Sequence, residues 1–457
     1  MLHPARRRFA ALLTVAALLA ACGPAAPTGT APASVQATAS PEPSVGIGEV
    51  VPAPGSSSSV YAPNPGAIVV AIDPGHGGCL DWGVPDPLER GDQFSEKVMT
   101  LAIGLELKRL LVAQGIGVVM TRETDAALAG DDYPNLGCHG APFRDVNGDG
   151  ASGFDPEGKT RTRDELQARL DLVNLARADL LVSIHINSVT ENGVVVEIAL
   201  TQTYYTDETP WGATATARLA QLVQDGEVAA LGPIATYDRQ DRGISAVNLF
   251  IVAPPLFVTT PDRPDPVKQP RRGALMPAIL TEVGSISLAA EHDLLLSPEG
   301  QAAAAQGIAD GLVGYFAGRH LAVRFDALLP GGEAGSVPSV VGDSGPPFWA
   351  PAVGSPELSQ GIPVRLTNTG TDPWPVGLKV RLGWQASDEP YLREPPEVVG
   401  DLGMEVPPLA PGESVVIAVK DEVPAGEAGL LWITLANGDE TFSDLGSAPL
   451  QLRTGGP

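Results

Sequence analysis

The chain has 457 residues, with 29 Lys plus Arg against 54 Asp plus Glu and a formal net charge of −25 at pH 7. That length exceeds one compact core and predicts two domains with linkers, and the acidic balance argues against a nucleic-acid partner because it repels a phosphate backbone. The 52 glycines and 44 prolines point to long low-complexity segments beside the folded parts.

The chain begins with Arg6, Arg7 and Arg8, followed by the apolar run FAALLTVAALLAA. That run is too short to span a bilayer and reads as an export signal over residues 1–22. The pattern Arg-Arg-x-Phe also fits twin-arginine export. The signal ends in LAAC, residues 19–22, which resembles the lipobox of bacterial lipoproteins. That resemblance implies a lipid on Cys22 and an extracytoplasmic protein held at the membrane; the alternative is a plain signal with an incidental cysteine. Several acyl chains are needed for stable anchoring, because one holds only weakly. Residues 23–66 are Ala, Pro, Ser and Thr without apolar period and read as a disordered tether.

From 67 to 320, apolar runs alternate with helical patterns, which predicts an α/β domain with a mostly parallel open sheet and flanking helices. The run IVVAIDPGHGG, residues 68–78, is a buried strand that ends in a glycine turn carrying His76. Ser95 predicts the cap of a helix running to about Gln114 and stopped by Gly115, with Val98, Leu101, Ala102 and Leu105 as its buried stripe. Glu96 then lies in the first turn, where the helix dipole favours a carboxylate. Thr162 and Glu165 form a capping box for a second helix with Leu166, Leu170 and Val173 inward. LLVSIHIN, 180–187, and PAILTEVG, 277–284, are further buried strands that carry His185 and Glu282 near their ends. Cys79 and Cys138 can pair as a disulfide outside the cytosol, or stay two buried thiols. Residues 321–355 read as a linker. Residues 356–457 read as an all-β sandwich of immunoglobulin-like type, with short runs such as LKVRLGWQ burying Leu378, Val380, Leu382 and Trp384 on one face.

Glutamate is almost never buried unless paired or functional, and ligands bind at the carboxyl ends of strands in open α/β sheets. Singly, each of the four residues has a structural explanation; together they predict a site. Two imidazoles and a carboxylate make a three-ligand zinc centre, with a fourth carboxylate free to take and return protons. DPGHGG at 73–78, SEK at 95–97, SIHIN at 183–187 and ILTEVG at 279–284 resemble the zinc-dependent N-acetylmuramoyl-L-alanine amidases of the type-3 group. VMTR at 119–122, DRG at 241–243 and LSPEGQAAAAQGIADGL near the domain's end agree with it. The resemblance covers about residues 67–320. It implies that His76, Glu96 and His185 bind zinc, that Glu282 is catalytic, and that the substrate is the amide joining N-acetylmuramic acid to L-alanine in peptidoglycan. The stretch CLDWGVPDPLERGDQF sets His76 and Glu96 further apart than expected for the family, which makes Glu89 a rival ligand, and residues 126–160 look inserted. A silent wall-binding module and a zinc hydrolase for another amide are the rival functions.

GFDPEGKT, 153–160, matches a phosphate loop but follows a polar, acidic stretch rather than a strand, so a nucleotide is not expected. DVNGDG, 145–150, spaces Asp145, Asn147 and Asp149 like the start of a calcium loop, although Pro156 occupies the closing position. HExxH and GxSxG are absent. His139 and His292 read as residues of polar loops without a role.

Overall fold

The computed structural model describes residues 68–133, 137–147, 163–209, 212–255, 271–328, 352–353, 361–389, 391–392, 394–396, 399–420 and 427–454. The export signal, Cys22, the 23–66 tether, Thr162 of the capping box, Asp149 and the phosphate-loop lookalike lie outside them.

In chain order the first unit contains β1 (Val69–Pro74), α1 (Glu96–Ala113), β2 (Gly117–Met120), α2 (Arg163–Leu175), β3 (Leu180–Asn187), the short hairpin β4 (Thr190–Glu191) and β5 (Val194–Val195), β6 (Ala199–Tyr205), α3 (Ala213–Leu231), β7 (Arg239–Ala246), β8 (Ala278–Ser285), α4 (Ala289–Leu296) and α5 (Pro298–Ala317). Six of these strands form one sheet in the order β2-β1-β3-β8-β6-β7. The pairings are parallel except β6 against β8, so the sheet is mixed rather than uniformly parallel. The reason lies in the connection. Between Asn187 and Ala199 the chain makes only a hairpin, and without a helical crossover it re-enters the sheet in the opposite direction.

One face of the sheet is covered by α1, α3 and α5 through Met99, Ile103, Leu107, Leu219, Val223, Ile308 and Leu312. The other is covered by α2 through Leu170 and Val173, with Phe250–Val252 beside it. The buried stripe of α1 is Met99, Ile103, Leu107 and Leu111, not the expected one; Leu105 is exposed. This helix is apolar around most of its circumference, so periodicity alone does not select the face that meets the sheet.

The second unit contains β9 (Val323–Ala327), β10 (Ala352–Val353), β11 (Ile362–Asn368), β12 (Lys379–Ala386), β13 (Val399–Glu405), β14 (Ser414–Val419), β15 (Gly429–Asn437), β16 (Glu440–Thr441) and β17 (Leu450–Thr454). Residues 323–327 therefore belong to a sheet rather than to a linker. Val323 and Phe325 alternate with Arg324 and Asp326, pair with β11 and enter the core. The two sheets, β14-β11-β9 and β10-β17-β15-β12-β13, share one apolar core that includes Val364, Leu366, Leu378, Val380, Leu382, Ile433 and Leu452. Trp384 is only partly buried. This unit meets the amino edge of the first sheet: Arg177 Nη1 donates to the Phe325 carbonyl (2.8 Å), and buried Arg319 pairs with Asp179 (2.8 Å) and reaches Ser447. Among the described residues no helix is long and apolar enough to cross a membrane.

Candidate metal centre

β1 delivers Asp73 and Pro74 to the carboxyl edge of the sheet, and the chain then turns through Gly75 and His76. Gly75 donates its N–H to the Ile184 carbonyl (2.8 Å), and a Cβ there would strike both that oxygen and the His185 ring. Glycine is thus what lets the turn lie against β3. His76 has φ 63°, a left-handed conformation that is costly for a residue with a side chain. Two buried cations hold it. Arg169 on α2 donates to the carbonyls of Pro74 (2.8 Å) and His76 (2.6 Å) and pairs with Asp73 (2.8 Å). Arg122, just beyond β2, donates to the carbonyls of Pro74 and Gly75, each at 2.9 Å.

Glu96 opens α1 and is 2% exposed. Ser95 sits at the cap position, but its hydroxyl donates to the Asp92 carbonyl instead of accepting from the helix. The Glu96 carboxylate lies between the two imidazoles: Oε2 is 3.2 Å from His76 Nε2, and Oε1 is 3.1 Å from His185 Nδ1. Backbone N–H groups of Val84 (2.8 Å) and Ile186 (2.9 Å) fix the two oxygens. A Cβ on Gly83 would collide with Glu96 and the His76 ring, so the loop before α1 closes tightly over the pair. One donor atom from each of His76, Glu96 and His185 lies within 4.8 Å of the others, and among the described residues this is the only such group. Adjacent donors of a tetrahedral zinc lie about 3.3 Å apart; the two His–Glu spacings match that value, and the two-nitrogen, one-carboxylate donor set fits that ion.

The remaining nitrogen of His76 is taken. Nδ1 is 2.7 Å from Asp81 Oδ1, the carboxylate–histidine arrangement that orients a ligating ring. Burial works against a charge on His76, but the Asp81 and Glu96 carboxylates outweigh it and raise its pKa well above the ordinary value. Burial likewise pushes Glu96 up, and the two imidazoles pull it below the usual carboxylate range. Glu282 on β8 stands directly across from His185 on β3. Burial, and then the Glu96 and Glu227 carboxylates, raise its pKa well above normal, and its buried Oε2 has no hydrogen-bond partner among the described residues.

Sequence patterns single out His76, Glu96, His185 and Glu282, and the fold brings all four to one edge. Glu89 is exposed and outside the cluster. The positioning residues Asp81 and Arg169 escape that reading, and Arg122 enters it only as the last residue of VMTR, with no role assigned. Glu165 is bound to Arg169 (2.9 Å) and to the Ala129 N–H (2.8 Å). His139 is exposed, but His292 is not a loop residue. It is buried on α4, its Nε2 2.8 Å from the Phe94 carbonyl, and so braces the approach to Glu96. Cys79 and Cys138 are joined as a disulfide with Cα atoms 5.8 Å apart, tying the turn after His76 to residues 137–147. Asp145 is exposed, and the Asn147 N–H donates to Asp164 (3.1 Å).

Residues 70–313 match the family model Amidase_3, N-acetylmuramoyl-L-alanine amidase. Over 121 residues the chain is 31% identical to the germination-specific N-acetylmuramoyl-L-alanine amidase of Bacillus subtilis (strain 168). That match takes in 26% of this chain and 39% of the relative, so it spans well under half of the relative's length. Similar solved structures include the N-acetylmuramoyl-L-alanine amidase AmiC2 of Nostoc punctiforme (24% identity, TM-score 0.35, 55% of this chain and 98% of that one). Another is the catalytic domain of CwlV, an N-acetylmuramoyl-L-alanine amidase from Bacillus (Paenibacillus) polymyxa var. colistinus (26% identity, TM-score 0.35, 54% of this chain and 97% of that one).

Proposed function

Because the chain belongs to the N-acetylmuramoyl-L-alanine amidase family over residues 70–313, we propose that it hydrolyses the amide between N-acetylmuramic acid and L-alanine in peptidoglycan. His76, Glu96 and His185 hold zinc, and Glu282 handles the proton. The observation that carries this reading is the pairing of a two-histidine, one-carboxylate cluster with a carboxylate oxygen on the neighbouring strand that has no hydrogen-bond partner among the described residues. Zinc in that position supplies a Lewis acid for the carbonyl and lowers the pKa of water to about 7.

The rest is done by the chain itself. Asp81 fixes the His76 ring so that Nε2 faces inward. Val84 and Ile186 hold the Glu96 oxygens, so the donors need little reorganisation on loading. Glu282 takes a proton from the attacking water and returns it to the leaving amine of L-alanine. Arg122 and Arg169 keep the His76 turn in its costly conformation.

The protein works outside the cytoplasm, exported by its first 22 residues and held to a membrane by lipid on Cys22, where the Cys79–Cys138 disulfide persists. The C-terminal unit is an immunoglobulin-like sandwich that acts as a spacer or wall-binding module. Mass spectrometry of purified peptidoglycan treated with the zinc-loaded protein tests the activity. Free stem peptides beginning at L-alanine are expected with the wild type and not with Glu282→Gln. Intact muropeptides with a folded, zinc-loaded wild type would instead support a silent module or another amide substrate.

A further inference from the structure

The strands beside Glu282 continue its row. Glu282 on β8 is paired with His185 on one side and with Gln202 of β6 on the other. Beyond Gln202, β7 carries a bulge: Thr201 pairs with Asp241 and Thr203 with Ile244, so Arg242 and Gly243 together oppose Gln202. Gly243 takes up the turn at φ 66°. Such bulges re-aim a side chain and gather beside active sites.

Alternation settles the face. Asp241 and Thr203 both bond Gln224 of α3, on the helix-covered side. Gln202, one residue before Thr203, and Arg242, one residue after Asp241, therefore share the opposite side with Glu282. Two further contacts agree: Tyr204 donates to Gln202 Oε1 (3.0 Å), and Gln202 Nε2 donates to Ser245 Oγ (3.0 Å). The Tyr204 hydroxyl also feels both the Glu282 carboxylate and the Arg242 guanidinium. Arg242 is exposed, and among the described residues no carboxylate pairs with it, although acidic groups dominate this chain.

We propose that Arg242 binds a carboxylate of the stem peptide, two or three residues beyond the scissile amide, at the end of the row His185–Glu282–Gln202–Arg242. This rests on the amidase reading above. Two strand spacings separate Glu282 from Arg242, about 10 Å, and an extended peptide covers about 3.3–3.6 Å per residue. A peptide whose nitrogen leaves beside Glu282 thus carries its second or third side chain over Arg242. A guanidinium fork meets a carboxylate there in bidentate geometry, which a carboxamide cannot reproduce. Gln202, held by Tyr204 and Ser245, spaces the two ends of the row.

The test compares two muramoyl tripeptides that differ only in whether their second and third residues carry free carboxylates or carboxamides. The zinc-loaded full chain and its Arg242→Gln and Arg242→Lys variants are used. The wild type is expected to prefer the free acid, and Arg242→Gln to reduce that preference in kcat/KM by about ten- to a hundredfold, through KM. Arg242→Lys should recover part of it. A wild type without preference, or a preference that survives Arg242→Gln, overturns the proposal even if overall rates fall. Calorimetric binding of the same two peptides to wild type and Arg242→Gln keeps the questions separate. If neither peptide is cleaved, the amidase reading fails, and the binding preference still decides the role of Arg242.

Discussion

The two edges of the first sheet both bury charge, and they do so to opposite ends. At the amino edge the buried charges are matched: Arg319 faces Asp179 at 2.8 Å, Asp179 also accepts the Val69 N–H (2.9 Å), and Ser447 of the second unit closes the group. At the carboxyl edge Glu96, Glu282 and Asp81 surround two imidazoles, while the guanidiniums of Arg122 and Arg169 are turned away onto backbone carbonyls and Asp73. A matched pair holds two units together. An excess of carboxylates around two imidazoles calls for a cation, and that is the proposed zinc. The second unit's contacts through Arg177, Arg319 and Ser447 all lie on the edge away from the site.

If the carboxyl edge does the chemistry, Glu282→Gln should give the largest effect in the molecule, a loss of about 10²–10⁴ in kcat with zinc content and melting temperature unchanged. A variant that still turns over normally would remove Glu282 from the mechanism. Arg319→Ala probes the other edge. It leaves Asp179 buried without its cation and should cost about 3–5 kcal/mol of stability. Chemical denaturation measures this. Zinc affinity and kcat per folded molecule should stay at wild-type levels, and a variant folded but inactive would show that the two edges are not independent.

Much of this contrast is legible in the chain, and the exceptions share a cause. Leu180–Asn187 stands out because a histidine interrupts an otherwise apolar strand, and Glu282 stands out in the same way. Residues anomalous in their own local pattern can be found from that pattern. Asp81 and Arg169 are ordinary locally, one in a polar loop and one on a charged helix, and acquire meaning only when folding brings them to His76. The buried stripe of α1, the reversal of β6 and the strand at Val323–Ala327 are tertiary choices too. Each segment fits two local descriptions, and its neighbours select one.

Asp81→Asn sharpens the contrast at smaller scale. Asparagine keeps the shape and loses the charge, so zinc affinity should fall about ten- to a hundredfold, measured by competition with a chromophoric chelator. Unchanged affinity would mean that Glu96 and the backbone hold the His76 ring without Asp81.

The smallest effect is on the acid stability of the chelated protein. Burial opposes the Asp81 charge, but the His76 imidazolium prevails and lowers the carboxyl from 3.8 to about 2. A folded-state pKa below the unfolded one stabilises the fold above the unfolded value, and that contribution is lost as pH falls through the folded value. For Asp81 the window lies between about pH 4 and pH 2. Asp73, held low by Arg169 despite its burial, and other acids contribute to the same acid limb, so the wild-type curve alone assigns nothing. The difference between wild type and Asp81→Asn does, because Asp73 is common to both. Melting temperatures of the two should lie apart at pH 5 and converge toward pH 2. A gap that stays constant across that range would show that the carboxylate charge of Asp81 is not what steadies the His76 ring.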